Sequence, residues 1–208
     1  MMSCPELLDD GEAQWPVKLH LGAGGVYLVD AGTGYVNIDI GGLPAAHNPE
    51  LVADNRTTLD RYYARLDGDW DRLPPARVTV VDQAGDIAAL AYPRESVAKI
   101  VCIQTFEHLS PVRAGDSLGR WHTILRPGGV AVLSVPDMAE TLDWLGDPAR
   151  VSFATRHLRG SLRTQHSRHL AWYTAETLSE LLSAYGFAVQ TLPNFHIYPA
   201  IVLRATKR

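Results

Sequence analysis

The residues best suited to chemistry stand at the ends of short apolar runs. Val17-Lys18-Leu19-His20-Leu21 meets the glycine turn Gly22-Ala23-Gly24-Gly25, and the run Tyr35-Val36-Asn37-Ile38 ends in Asp39. Glycine admits positive φ and lets a ligand approach the backbone closely. A carboxylate accepts two hydrogen bonds from vicinal hydroxyls such as those of a ribose. A strand, a turn without side chains and an acid ending the next strand are the parts of a nucleotide-type cofactor site. Asp86, Ile87 and Gln104 follow later apolar runs in the same way, with Asp82 a competitor to Asp86.

A second group lies further on. Glu107-His108 pairs an acid with an imidazole, and the His108 side chain titrates near the pH at which a general base works. Its ordinary role would be to cap and pack the helix after the preceding strand. Residues 156–169 are rich in arginine and histidine. Arg159, Arg163 and His169 are candidates for holding an anionic acceptor, because guanidinium groups bind carboxylate or phosphate through two hydrogen bonds. Trp172 and Tyr173 could add an aromatic wall or simply pack in the core. No metal is expected. Gln104 offers no charged oxygen beside Glu107, and His157, His166 and His169 stand at no standard ligand spacing, with arginines among them to repel a cation.

These residues need a frame. Strands are expected over about 17–21, 35–39, 77–81, 98–103 and 130–135. They are short continuous apolar runs, as in a parallel sheet buried on both faces. Leu118, Trp121 and Leu125 mark a helix that Arg126-Pro127-Gly128-Gly129 stops. Thr174 can cap a helix carrying Leu178, Leu181, Leu182 and Tyr185, and Gly186 is placed to end it. Two final strands, about 187–192 and 201–206, form a hairpin-like pair. The link from Gly25 to Tyr35 is too short for a crossover helix. Residues 43–75 read as an insertion over one edge of the cofactor site, a candidate lid, with a helix over 57–66 that carries Leu59, Tyr62, Tyr63 and Leu66. Residues 1–15 are a polar lead-in, and 137–173 are the least regular part. Strands alternating with helices predict an α/β sandwich: a seven-stranded, mostly parallel sheet with one antiparallel strand near the end and helices on both faces.

Composition sets the bounds. The 208 residues suit one domain, and the net charge of −4 leaves no footprint for nucleic acid or an anionic membrane. Two cysteines make neither a disulfide framework nor a zinc motif, and the acidic start lacks the regions of a signal peptide. No run approaches the ~20 apolar residues of a membrane span. A cytoplasmic setting is expected.

In this order, the motifs resemble the class I S-adenosylmethionine-dependent methyltransferases, and most of all a small bacterial branch of them. The resemblance is carried by Leu21-Gly22-Ala23-Gly24, Val36-Asn37-Ile38-Asp39-Ile40, Gly85-Asp86-Ile87, Tyr92-Pro93 with Ser96, Glu107-His108-Leu109, Leu125-Arg126-Pro127-Gly128-Gly129, Ser134-Val135-Pro136-Asp137 and Tyr185-Gly186-Phe187. It implies a Rossmann-like fold with S-adenosyl-L-methionine as cofactor. Gly22, Ala23 and Gly24 would line its methionine part, Asp39 would hold the ribose, and Asp86 and Ile87 would read the adenine edge. Gln104 would bind the cofactor too, bordering its methionine moiety and the methyl acceptor. The resemblance implies methyl transfer, O-methylation favoured, to a small molecule or glycan, with S-adenosylhomocysteine released. Three features depart from the pattern: Val26, Ala98 and the long insertion. A non-catalytic cofactor-binding module on the same fold is the alternative. A nicotinamide dehydrogenase would want a third glycine where Tyr27 stands, and aminopropyl transfer would want acids where the arginines stand.

Overall fold

The structure is a computed structural model and describes residues 17–29, 34–57, 78–194, 196 and 198–208. Seven strands form the main sheet: β1 (Val17–Leu21), β2 (Val36–Asp39), β3 (Gln83–Ala84), β4 (Val97–Ile103), β5 (Leu125–Pro136), β6 (Phe187–Thr191) and β7 (Ala200–Lys207). Their spatial order is β3-β2-β1-β4-β5-β7-β6. Every pairing is parallel except the two made by β7, which lies antiparallel between β5 and β6. This is the mixed α/β sheet expected. The order reverses between β1 and β4, and the ends of those strands are where such sheets bind ligands.

Five α-helices accompany the sheet among the described residues: α1 (Pro49–Asn55), α2 (Pro111–Ile124), α3 (Met138–Trp144), α4 (Val151–Arg159) and α5 (Ala175–Ala184). Ser110 caps α2, Pro111 starts it, and Ala114, Leu118, Trp121 and Ile124 are buried along it. A reciprocal capping box between Thr174 and Thr177 starts α5, whose Leu178 and Leu182 are buried. Gly186 follows at φ +87, and a Cβ there would press on His122. Alternation along the strands divides the core. Ile100 and Cys102 of β4 pack with residues of α2 and α5, whereas Val101 and Ile103 face Leu28, Tyr35 and Val202.

Several expectations need correction. The apolar run ending at Val81 is not the third strand of the main sheet. Val80–Val81 pairs with Leu43–Pro44 in a separate small sheet, and the main-sheet edge falls at Gln83–Ala84. Asp82 makes the switch: its N–H donates to the Asn37 carbonyl, and its carboxylate accepts from the Asn37 N–H at 2.7 Å. Leu125 belongs to β5 and pairs with Val97, so the Arg126-Pro127-Gly128-Gly129 segment is a bulge within β5, with Gly128 at φ +72. Residues 137–173 hold α3 and α4. Asp137 caps α3 by accepting from the N–H groups of Ala139 and Glu140.

The described part of the link after Gly25 contains no helix. Instead Tyr27–Leu28 pairs in parallel with Arg56–Thr57. Residues 56–57 thus lie against that link, and Asn55 ties α1 to the Val78 carbonyl at 2.9 Å. The helix expected over 57–66 lies outside the described residues, except for Thr57, which ends that short strand. The polar lead-in 1–15 and residue Arg77 also lie outside them. No helix among the described residues is long and apolar enough to cross a membrane.

Candidate functional site

The carboxyl ends of β1, β2 and β4 open into a cavity of about 800 Å³. Its first wall is the turn after β1. Gly22 stands at φ +70 and Gly24 at φ +51, both in the region that favours glycine. The N–H groups of Gly22 and Ala23 both donate to the Ile38 carbonyl, at 2.8 and 3.1 Å. The Gly24 N–H donates to the Asp39 carboxylate at 2.8 Å. A Cβ on Gly22 would lie 2.1 Å from Thr105 Oγ1, whereas one on Gly24 would meet nothing within 4 Å. The turn is therefore clamped from behind, with open space in front of Gly24. Gly22, Gly24 and Asp39 line the cavity; Ala23 is buried, its N–H already used, and does not.

Asp86, Ile87 and Gln104 also line it. Asp86 pairs with Arg113 and accepts from the Ala88 N–H at 2.9 Å. The Ile87 carbonyl accepts from the indole of the buried Trp121. Gln104 is held at φ +50, a conformation uncommon outside glycine, by the bond from its N–H to the Ser134 carbonyl at 2.7 Å. Its Nε2 donates to Ser134 Oγ, which in turn lies 3.0 Å from His196 Nε2. With its nitrogen so engaged, Gln104 keeps its side-chain oxygen for a ligand.

His196 and Tyr198, stacked with ring centroids 4.6 Å apart, complete this wall. Sequence reading missed both. They sit in the turn between the last two strands, which β7 folds back beside the end of β5. Burial holds the His196 imidazole down to a pKa of about 4.

His108 lies in a 3₁₀ turn, Phe106–His108, and lines the cavity. Its Nδ1 is 2.8 Å from the Arg168 carbonyl. A carbonyl only accepts, so Nδ1 carries the proton and Nε2 the lone pair. Burial lowers the pKa, which keeps the ring neutral at pH 7. Glu107 is buried beside it, and burial raises its carboxyl to a pKa of about 8. His169 does not line the cavity. It lies against Glu107, with Nε2 3.8 Å from Oε1, and its ring meets that of His108 edge-on at 4.8 Å. Burial lowers its pKa to about 4. Arg163 lines the cavity with Ser161, Thr164 and His166. Arg159 ends α4, exposed, and is not part of the lining. His157 is tied to the Pro199 carbonyl at 2.7 Å. Tyr173 packs in the core against Phe106, and Trp172 is exposed.

A glycine cradle clamped to an acid at the switch point of a mixed α/β sheet fits a nucleoside-bearing cofactor, because the backbone can approach in front of Gly24 while the carboxylate is pre-positioned. A family model described as a methyltransferase domain matches residues 27–192, and the chain belongs to that family. It is an S-adenosylmethionine-dependent methyltransferase. No curated protein matches the sequence. Among solved structures, it resembles a methyltransferase of this kind from Methanosarcina mazei, with TM-score 0.50, 14% identity and 91% of each chain covered. It also resembles one from Thermotoga maritima, with TM-score 0.51, 13% identity and 98% of this chain and 87% of that chain covered. A third similar structure is the magnesium protoporphyrin IX methyltransferase of Synechocystis PCC 6803 with bound S-adenosylhomocysteine, with TM-score 0.50, 12% identity and 98% and 80% covered. At these identities the likeness is one of fold.

Proposed function

We propose that the chain holds S-adenosyl-L-methionine across the ends of β1, β2 and β4 and methylates a small anionic acceptor, O-methylation favoured. When bound, the sulfonium supplies an activated methyl group and its own leaving group. The residues need only bind, orient and exclude water, and orientation alone can contribute several orders of magnitude in rate. Gly22 and Gly24 give the methionine part a side-chain-free wall. Asp39 accepts from the ribose hydroxyls, and Asp86 with the Ile87 backbone borders the adenine. Ala23 serves by fixing the turn, since its N–H is committed to Ile38. The segment 43–57 brings Thr57 to the cavity and acts as the cover that the short link cannot provide.

The acceptor side is built from Gln104, His108, Arg163, His196 and Tyr198. Arg163 supplies the positive charge for a carboxylate or phosphate. His108, neutral with its lone pair on Nε2, takes the proton from an acceptor hydroxyl. Arg159, outside the lining, is not carried into this reading, and His169 supports His108 from behind rather than touching the acceptor.

The observation that carries the proposal is the Gly24-to-Asp39 hydrogen bond at the mouth of the cavity. Calorimetry with S-adenosylhomocysteine tests it. Binding that weakens at least tenfold in Asp39→Ala is the expected result, and no binding by the folded wild-type chain would overturn it.

A further inference from the structure

We infer that Glu107, His108 and His169 form a binding site for one divalent transition-metal ion, of the kind that takes two imidazoles and a carboxylate. One ligand atom from each residue lies within 4.8 Å of the other two, with His169 Nε2 and Glu107 Oε1 3.8 Å apart. Among the described residues, neither carboxyl oxygen of Glu107 has a hydrogen-bond partner, although the side chain is only 2% exposed. Buried polar atoms are almost always partnered, so an orphaned pair of oxygens calls for a specific occupant. Two histidine rings converge beside them, and an ion would meet all three needs at once.

The surroundings are those of a ligand set. His108 is fixed through Nδ1 to the Arg168 carbonyl, which leaves Nε2 as the free donor. Metal-ligating histidines characteristically anchor their other nitrogen in this way. Sequence distance is overcome by the backbone. The N–H groups of Leu170 and Ala171 both donate to the Glu107 carbonyl, at 2.8 and 3.1 Å, so the segment bearing His169 is clamped to the turn bearing Glu107 and His108.

Two nitrogens and one oxygen select zinc and its first-row neighbours over magnesium or calcium, which prefer all-oxygen shells. Three protein ligands also leave coordination positions open. Because His108 lines the cavity, an acceptor oxygen could reach the ion there. A bound ion would occupy the same lone pair that otherwise takes the acceptor's proton, and would instead lower the hydroxyl's pKa so that its proton passes to solvent water. The site itself does not depend on the methyl-transfer reading, since ion binding is measured without turnover.

The test uses the full chain stripped with a chelator and titrated calorimetrically with zinc chloride. Cobalt(II) absorption and elemental analysis after dialysis report coordination and stoichiometry. One zinc ion per chain is expected, bound at least a hundredfold more tightly than magnesium. His169→Ala and Glu107→Gln should each weaken zinc binding at least tenfold, while His47→Ala on a distant exposed turn should not. Circular dichroism on each variant establishes folding. If Glu107→Gln fails to fold, His169→Ala and His108→Ala carry the test. No stoichiometric zinc in the folded wild-type chain, or zinc binding undiminished by the cluster variants, would overturn the proposal. S-adenosylhomocysteine binding on the same samples separates this failure from failure of the cofactor site.

Discussion

The backbone N–H of Gly24 lies 2.8 Å from the carboxylate of Asp39, which makes the turn after β1 and the acid ending β2 a single unit. Replacing Asp39 with alanine removes the brace on the turn and, on the proposed reading, the acceptor for the ribose hydroxyls. S-adenosylhomocysteine affinity should fall at least tenfold by calorimetry. Thermal stability should drop only by the equivalent of one partly buried hydrogen bond, about 1 kcal/mol.

Gly22 is doubly required. Its φ of +70 disfavours any side chain, and a Cβ would overlap Thr105. Gly22→Ala should cost more than about 2 kcal/mol in chemical denaturation. Adding Thr105→Gly should restore the steric part and leave the backbone part. Gly34→Ala, where a Cβ meets nothing within 4 Å, should change stability by less than about 1 kcal/mol. Equal losses at both positions would contradict the clamp.

Acid should unfold the chain early. His20, His157, His169 and His196 are each lowered by burial from 6.5 to about 4. Between those values the unfolded chain binds protons that the folded chain does not. The stability these groups confer is therefore complete above pH 6.5 and lost as pH falls through about 4. Glu107, raised from 4.5 to about 8, acts in the opposite sense between those values, while His108 and His122, also lowered by burial, act in the same sense as the four histidines. For a fully buried ring such as His20 the loss from pH 7 to pH 5 is about 2 kcal/mol. Urea midpoints should fall steadily over that range, and His157→Gln should flatten the slope.

Arg163 and Arg159 are neighbours in sequence but differ in placement, since only Arg163 lines the cavity. Arg163→Ala should raise KM for an anionic acceptor about tenfold and leave S-adenosylhomocysteine affinity unchanged. Arg159→Ala should alter neither. Steady-state kinetics with the two variants checks this, and equal effects would move the anion site out onto the surface.

The frame and the glycine–acid wall of the cavity were legible in the sequence because their signals are local. A glycine turn between two apolar runs, an acid at a strand end and a threonine before an apolar stripe each depend on a few adjacent residues. The opposite wall was legible only in part: Gln104, His108 and Arg163 stood out by residue type, whereas His196 and Tyr198 did not, because their contacts are remote. Ser134 meets His196 across 62 positions, and Glu107 meets His169 only after α4 and its loop return. No spacing rule covers such a pair. The third strand was misplaced because Val80 and Val81 are as apolar as any strand core, yet pair with Leu43 and Pro44 instead. The bend at Asp82, which rests on its bonds to Asn37, decides the matter, and side-chain pairing of that kind leaves no periodicity.

The cavity's two flanks have separate origins. Thr57 ends one small strand pair and Thr79 precedes the other, while Ser161, Arg163 and His196 come from segments beyond β4 and β5. Among the described residues, segment 43–57 is held by two short parallel ladders, Tyr27–Leu28 with Arg56–Thr57 and Leu43–Pro44 with Val80–Val81, and by Asn55 to the Val78 carbonyl. If each flank yields without disturbing the other, exchange of spent for fresh cofactor need not wait for the methylated product to leave. Turnover then has no compulsory sequence of arrivals and departures. Product-inhibition patterns would be those of random rather than ordered addition, and strictly ordered patterns would show that the two flanks move as one.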